Sequence, residues 1–161
     1  MVRVPLWVKG VEVERPPRVK DAGMTRELTA DDFLRGLLAA LAFMDKKSLG
    51  AVRPRIHRAF RRVVDRAQEP SFGPDFTVDL TAVDFDPLFG QSRWLDRALT
   101  RAQRGRVISF PNPSYEVMQV RFDQHEADRI LDQLGARERF LELAQVFAGE
   151  LPSAERRSAA T

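Results

Sequence analysis

In SRWLDRALTRAQR (residues 92–104) the arginines and the apolar side chains fall on opposite sides of any helix drawn through them. At about 100° per residue, Arg93, Arg97, Arg101 and Arg104 lie within about 80° of one another. Trp94, Leu95, Ala98, Leu99 and Ala102 occupy the opposite arc. Ser92 offers an N-cap and Gly105 a stop. Immediately afterwards, RVISF and YEVMQVRF read as two strands around the turn PNPS, because Pro111 and Pro113 cannot continue a ladder. The chain must therefore bury one side of this helix, keep a cationic side in water, and fold back as a hairpin straight after it.

The distribution of charge sharpens the point. The net charge of the 161 residues is only +3, but residues 51–106 hold eleven cations against seven acids, and all eleven are arginines. Residues 107–161 reverse the balance, with six cations against nine acids. Planar guanidinium donors suit phosphates and guanine edges. A GC-rich coding bias would also yield 22 arginines against 4 lysines, but it would not sort them by helical face. With no cysteine, the chain has no disulfide, thiolate metal site or cysteine nucleophile. The longest apolar stretch, Leu37 to Met44, is too short for a membrane span, and the expectation is a cytoplasmic protein.

Along the chain, residues 1–28 read as an arm or linker. An edge strand is expected within Val2–Val13, and a Pro-punctuated linker over residues 15–27. Residues 29–150 read as one globular domain. Thr29 with Asp31 and Asp32 starts a helix whose stripe is Phe33, Leu34, Leu37, Leu38, Leu41 and Met44. A second helix runs from Ala51 to Gln68, with Ile56, Ala59, Phe60, Val63 and Val64 inward and Arg55, Arg58, Arg61, Arg62 and Arg66 outward. FTVDL (residues 76–80) reads as a short strand, and residues 83–89 as one or two helical turns. Residues 123–134 and 136–149 form two C-terminal helices, and residues 151–161 a disordered tail. The fold class is mainly α with a small antiparallel β-sheet.

The order helix, strand, short helix, helix, strand, turn, strand over residues 51–122 resembles the winged helix-turn-helix superfamily. In that family a short strand follows the first helix, the third helix is the reader, and a two-stranded wing follows it. The resemblance makes Ala51–Gln68 the first helix, Phe76–Leu80 the strand and Val83–Phe89 the second helix. Ser92–Arg104 becomes the reader, and Arg106–Phe110 with Tyr115–Phe122 the wing, with the other helices flanking this core. It implies contact with double-stranded DNA through Arg93, Arg97, Arg101, Arg104 and Arg106, helped by Arg55, Arg58 and Arg62.

The corresponding function is non-enzymatic DNA binding, in a transcription regulator or an accessory protein of a mobile or replication system. The rival is an adaptor whose basic faces dock an acidic partner; for the arginines of residues 55–66 that partner could be the chain's own acidic C-terminal helices or those of another copy. Catalysis finds no comparable pattern. Asp75, Asp79, Asp84 and Asp86 could be imagined as metal ligands and His57 or His125 as a base, but no spacing fixes their geometry, and neither a cofactor nor a metal is expected. The wide apolar face Phe140, Leu143, Ala144 and Phe147 points to a homodimer through the C-terminal helices.

Overall fold

A computed structural model describes residues 26–50, 52–72, 76–111 and 116–151. In order, these form β1 (Arg26–Thr29), α1 (Ala30–Phe43), β2 (Ser48–Gly50), α2 (Arg53–Ala67) and a 3-10 turn (Pro70–Phe72). Then come β3 (Phe76–Asp79), α3 (Arg93–Arg104), β4 (Ile108–Ser109), β5 (Val117–Val120), α4 (Gln124–Leu134) and α5 (Arg137–Gly149). The described chain is mainly α with a small three-stranded antiparallel sheet, as its periodicities imply. A second, two-stranded parallel sheet is separate from it.

Helix α1 begins where the sequence places it. The Thr29 hydroxyl accepts the Asp32 amide at 3.1 Å, and Asp31 and Asp32 face the positive end of the helix dipole. From Phe33 to Ala42 only Arg35 is exposed. A helix that is apolar nearly all round belongs at the centre of the fold. Helices α4 and α5 cover it, and the Phe33 ring sits 6.1 Å from Phe60 of α2 and 6.2 Å from Phe140 of α5. The tight approach of α5 depends on Gly36, where a Cβ would lie 2.5 Å from the Phe140 ring.

Helix α4 is capped as strongly. Asp123 and Glu126 form a reciprocal capping box on α4, and Gly135 ends that helix in the left-handed region at φ 81°. The apolar face of α5, which led to the expectation of a dimer, is turned inward. Phe140, Leu143, Ala144 and Phe147 are all buried within the chain, against α1 and α2. The width of that face reflects two intramolecular neighbours, and the reason for a dimer through these helices disappears.

Several assignments shift. Strand β3 exists, but it pairs in parallel with β1, Leu28 opposite Val78 and Thr29 opposite Asp79, and so takes no part in the hairpin's sheet. Residues 26–28 are thus a strand where the sequence reads as linker. The hairpin itself forms, with Ile108 opposite Val120 and Ser109 opposite Gln119. Its third strand is β2, which pairs with β5 through Leu49 and Met118. Residues 83–89 are not helical. The Asp86 carboxylate accepts the amides of Leu88 and Phe89, Gly90 takes φ 69°, and the segment becomes a turn closed by a bridge between Phe85 and Ser92. Leu151, which the sequence assigns to the tail, is buried. The strand expected within Val2–Val13 and the tail from Pro152 lie outside the described residues.

Gly36→Ala tests the centre of this packing. Alanine gains up to ~1 kcal/mol of helix propensity over glycine. Overpacking against the fully buried Phe140 ring costs roughly 1–3 kcal/mol and more where the backbone cannot yield. Urea unfolding is expected to show a net loss of about 1–2 kcal/mol, with an unchanged m-value.

Candidate nucleic-acid interface

Helix α3 divides as its periodicity requires. Leu95, Ala98 and Leu99 are buried, Ala102 is half-buried, and Arg93, Arg97, Arg101 and Arg104 are exposed. The Ser92 hydroxyl accepts the Leu95 amide at 3.1 Å and fixes the first turn.

What orients this helix is a histidine. His57 of α2 is 1 % exposed, and its Nδ1 accepts the backbone amide of Ser92 at 2.9 Å. An acceptor at Nδ1 requires the ring proton at Nε2, which lies 3.0 Å from Asp96 Oδ1 and donates to it. Arg53 Nη1 donates to the same carboxylate oxygen at 2.6 Å. One imidazole therefore ties α2 to both the cap and the first turn of α3, and no lone pair is left over for acid–base work. Beside it, Trp94 stacks on Phe60 with centroids 6.1 Å apart and planes 22° off parallel. His57, which could only be imagined as a base from the sequence, has a structural role here. The sequence hinted at this role, since His57 falls in the apolar arc of α2 with Phe60 and Val64.

The opposite flank of α3 is tied to α1, where Arg101 Nη2 donates to Asp31 Oδ1 at 2.9 Å. With one edge held by His57 and Asp96 and the other by Asp31, the strip between them faces outward. Arg93, Arg97 and Arg104 occupy it without a hydrogen-bond or ion-pair partner among the described residues. Arg106 follows in the turn after α3, exposed and in the left-handed region at φ 61°. Of the five reader arginines expected from the sequence, Arg93, Arg97, Arg104 and Arg106 are free in this sense, while Arg101 is engaged.

The arginines of α2 divide differently. Arg55 and Arg58 are exposed without such a partner among the described residues. Arg62 donates to Glu150 at 3.2 Å, and Arg66 donates to Glu142 at 2.8 Å and Glu69 at 2.9 Å. Arg61 lies 5.5 Å above the Phe85 ring. Glu142 of α5 and Glu150 just after it thus partner two of the five arginines on this ridge, and Arg62, one of the expected DNA contacts, is paired within the chain.

Two of the aspartates considered as metal ligands, Asp79 and Asp86, serve turns. Thr81 donates its hydroxyl and its amide to Asp79, and these bonds hold the exposed Asp79 carboxyl below its ordinary pKa. Asp86 braces the turn before α3, and Asp75 lies outside the described residues. Among the described residues no three His, Cys, Asp or Glu side chains group as metal ligands, and no helix is long and apolar enough to cross a membrane. No family model, curated protein or solved structure matches this chain.

His57→Ala removes the acceptor for a buried amide and opens a cavity between α2 and α3. A loss of about 2–4 kcal/mol is expected in urea unfolding. Amide exchange at Ser92 and Leu95 should accelerate ahead of the exchange in α1, since the first turn of α3 loses its anchor.

Proposed function

We propose that this protein binds double-stranded DNA without catalysing a reaction, presenting α3 to the duplex. The observation that carries the reading is the set Arg93, Arg97 and Arg104. These three guanidiniums line one strip of a helix pinned at both flanks, with no acid among the described residues to neutralise them. Neutralised surfaces normally interleave opposite charges at i,i+4. An unneutralised arginine strip on a rigid helix suits phosphates and the O6 and N7 edges of guanine in a major groove.

The order of elements supports the same reading once it is moved one helix toward the N-terminus. A short strand, β2, follows α1; α3 is the third helix; and the hairpin of β4 and β5 comes after it, with β2 in the same sheet. Apart from β3, which is inserted between α2 and α3, this follows the order the winged-helix resemblance implies, with α1, not α2, as first helix. Role and location follow as part of the proposal: a cytoplasmic transcription regulator or an accessory protein of a mobile or replication system.

One observation favours the adaptor as a second reading. Leu88 and Phe89 are 84 % and 76 % exposed on the turn braced by Asp86, three residues ahead of α3. A rigid turn offering two large apolar side chains next to arginines also suits a protein partner with an apolar pocket.

Fluorescence anisotropy with random-sequence duplex DNA tests the first reading. Binding is expected at ~50 mM salt, with log affinity falling linearly against log salt. Arg93→Ala/Arg97→Ala/Arg104→Ala should lower the salt slope by about two to three units, roughly one per lost phosphate contact, and leave stability within ~0.5 kcal/mol. Arg62→Ala, whose side chain faces Glu150, should leave affinity unchanged. A wild-type protein that binds no duplex at ~50 mM salt overturns the DNA reading in favour of the adaptor.

A further inference from the structure

Helix α3 carries alanine at two successive turns of its buried side, Ala98 and Ala102, where α1 presents Leu34 and Leu38. Short side chains there leave a gap that leucines would have filled. The result is a cleft of about 210 Å³ between the two helices. Its walls are chiefly apolar, and its rim carries Asp31, Arg35 and Arg101. Arg101 is engaged by Asp31, whereas the exposed Arg35 has no hydrogen-bond or ion-pair partner among the described residues. The rim therefore holds two guanidiniums against one carboxylate.

We propose that this cleft is a binding site for a small organic carboxylate with a flat or short apolar body. The volume bounds the size class: the cleft, open to solvent on its outer side, holds about 210 Å³, room for a body of the size of benzene, which fills an enclosed dry cavity of about 150 Å³. The charge balance decides the head group. A carboxylate at the rim gains Arg35 directly and competes with Asp31 for Arg101, and guanidinium forks recognise carboxylates bidentately. A cationic head group would meet the same two arginines and be repelled. Because one wall of the cleft is α3, an occupant that takes Arg101 from Asp31 replaces one of the two flank attachments of that helix. The binding inference stands independently of what the outer strip of α3 contacts.

Amide chemical shifts of the isotope-labelled protein, titrated at constant ionic strength, test it with three probes of one shape: benzoate, benzyl alcohol and benzylamine. Benzoate is expected to cause saturable shifts confined to residues 31–38 and 98–107, with a millimolar dissociation constant. Benzyl alcohol should bind at least fivefold more weakly, and benzylamine should produce no saturable shift. Asp31→Asn should tighten benzoate severalfold by removing the competitor for Arg101. Ala102→Leu should fill the cleft and abolish the shifts. If that variant fails to fold, Arg35→Gln/Arg101→Gln, both at exposed positions, should weaken benzoate at least fivefold in a folded protein. Absence of saturable shifts up to 20 mM benzoate, or equal binding of benzoate and benzylamine, overturns the proposal.

Discussion

A missing side chain at Gly36 determines how the helices stack. Phe140 presses its ring onto the bare backbone of α1 at that position, and so α5 lies closer to α1 than any residue with a Cβ would allow. From this contact the aromatic chain extends outward, Phe140 to Phe33 to Phe60 to Trp94, crossing four helices. Aromatic pairs of this kind add of order 1 kcal/mol each beyond the burial of their area. More important for function, they are stiff, so the position of α3 is referred back to α1 through rings that have few alternative rotamers.

Upon that frame, α3 is held by polar contacts at its edges and apolar ones beneath. The exposed ion pairs at Asp31 and Asp96 are individually weak, on the order of 0–1 kcal/mol. His57 differs because it is buried: each of its ring nitrogens has a committed partner, and losing either leaves a desolvated group unsatisfied. Specific orientation comes from this imidazole, whereas cohesion comes from Leu95, Ala98 and Leu99. The arginines on the outside contribute little to either. Their arrangement is therefore free to answer to something outside the chain.

Much of this was legible in the residues because it is local. The two arcs of α3, the Thr29 cap, the hairpin whose strands flank Pro111 and Pro113 and the capping box at Asp123 are all encoded within a few positions of where they act. What was not legible depends on distant partners. Ser48, Leu49 and Gly50 have no strand-like pattern, and they become β2 only because β5 lies alongside, almost seventy residues later. The apolar residues Val83, Phe85, Leu88 and Phe89 suggested a helix, but Asp86 captured two amides and closed a turn instead. Likewise, nothing near Arg62 or Arg101 in sequence distinguishes them from Arg58 or Arg97. Only the packing of α5 and α1 brings Glu150, Glu142 and Asp31 within reach.

The central place of α1 has a consequence for biosynthesis. Its stripe from Phe33 to Ala42 is covered chiefly by α4 and α5, and α5 is made about a hundred residues after α1. At roughly 5–20 residues per second, the ribosome leaves the most apolar helix of the chain without its cover for about 5–20 s. Helix–coil exchange takes about a microsecond, so α1 forms and melts a great many times before its neighbours exist. A nascent chain in this interval presents an oily surface to the water around it until α4 and α5 arrive.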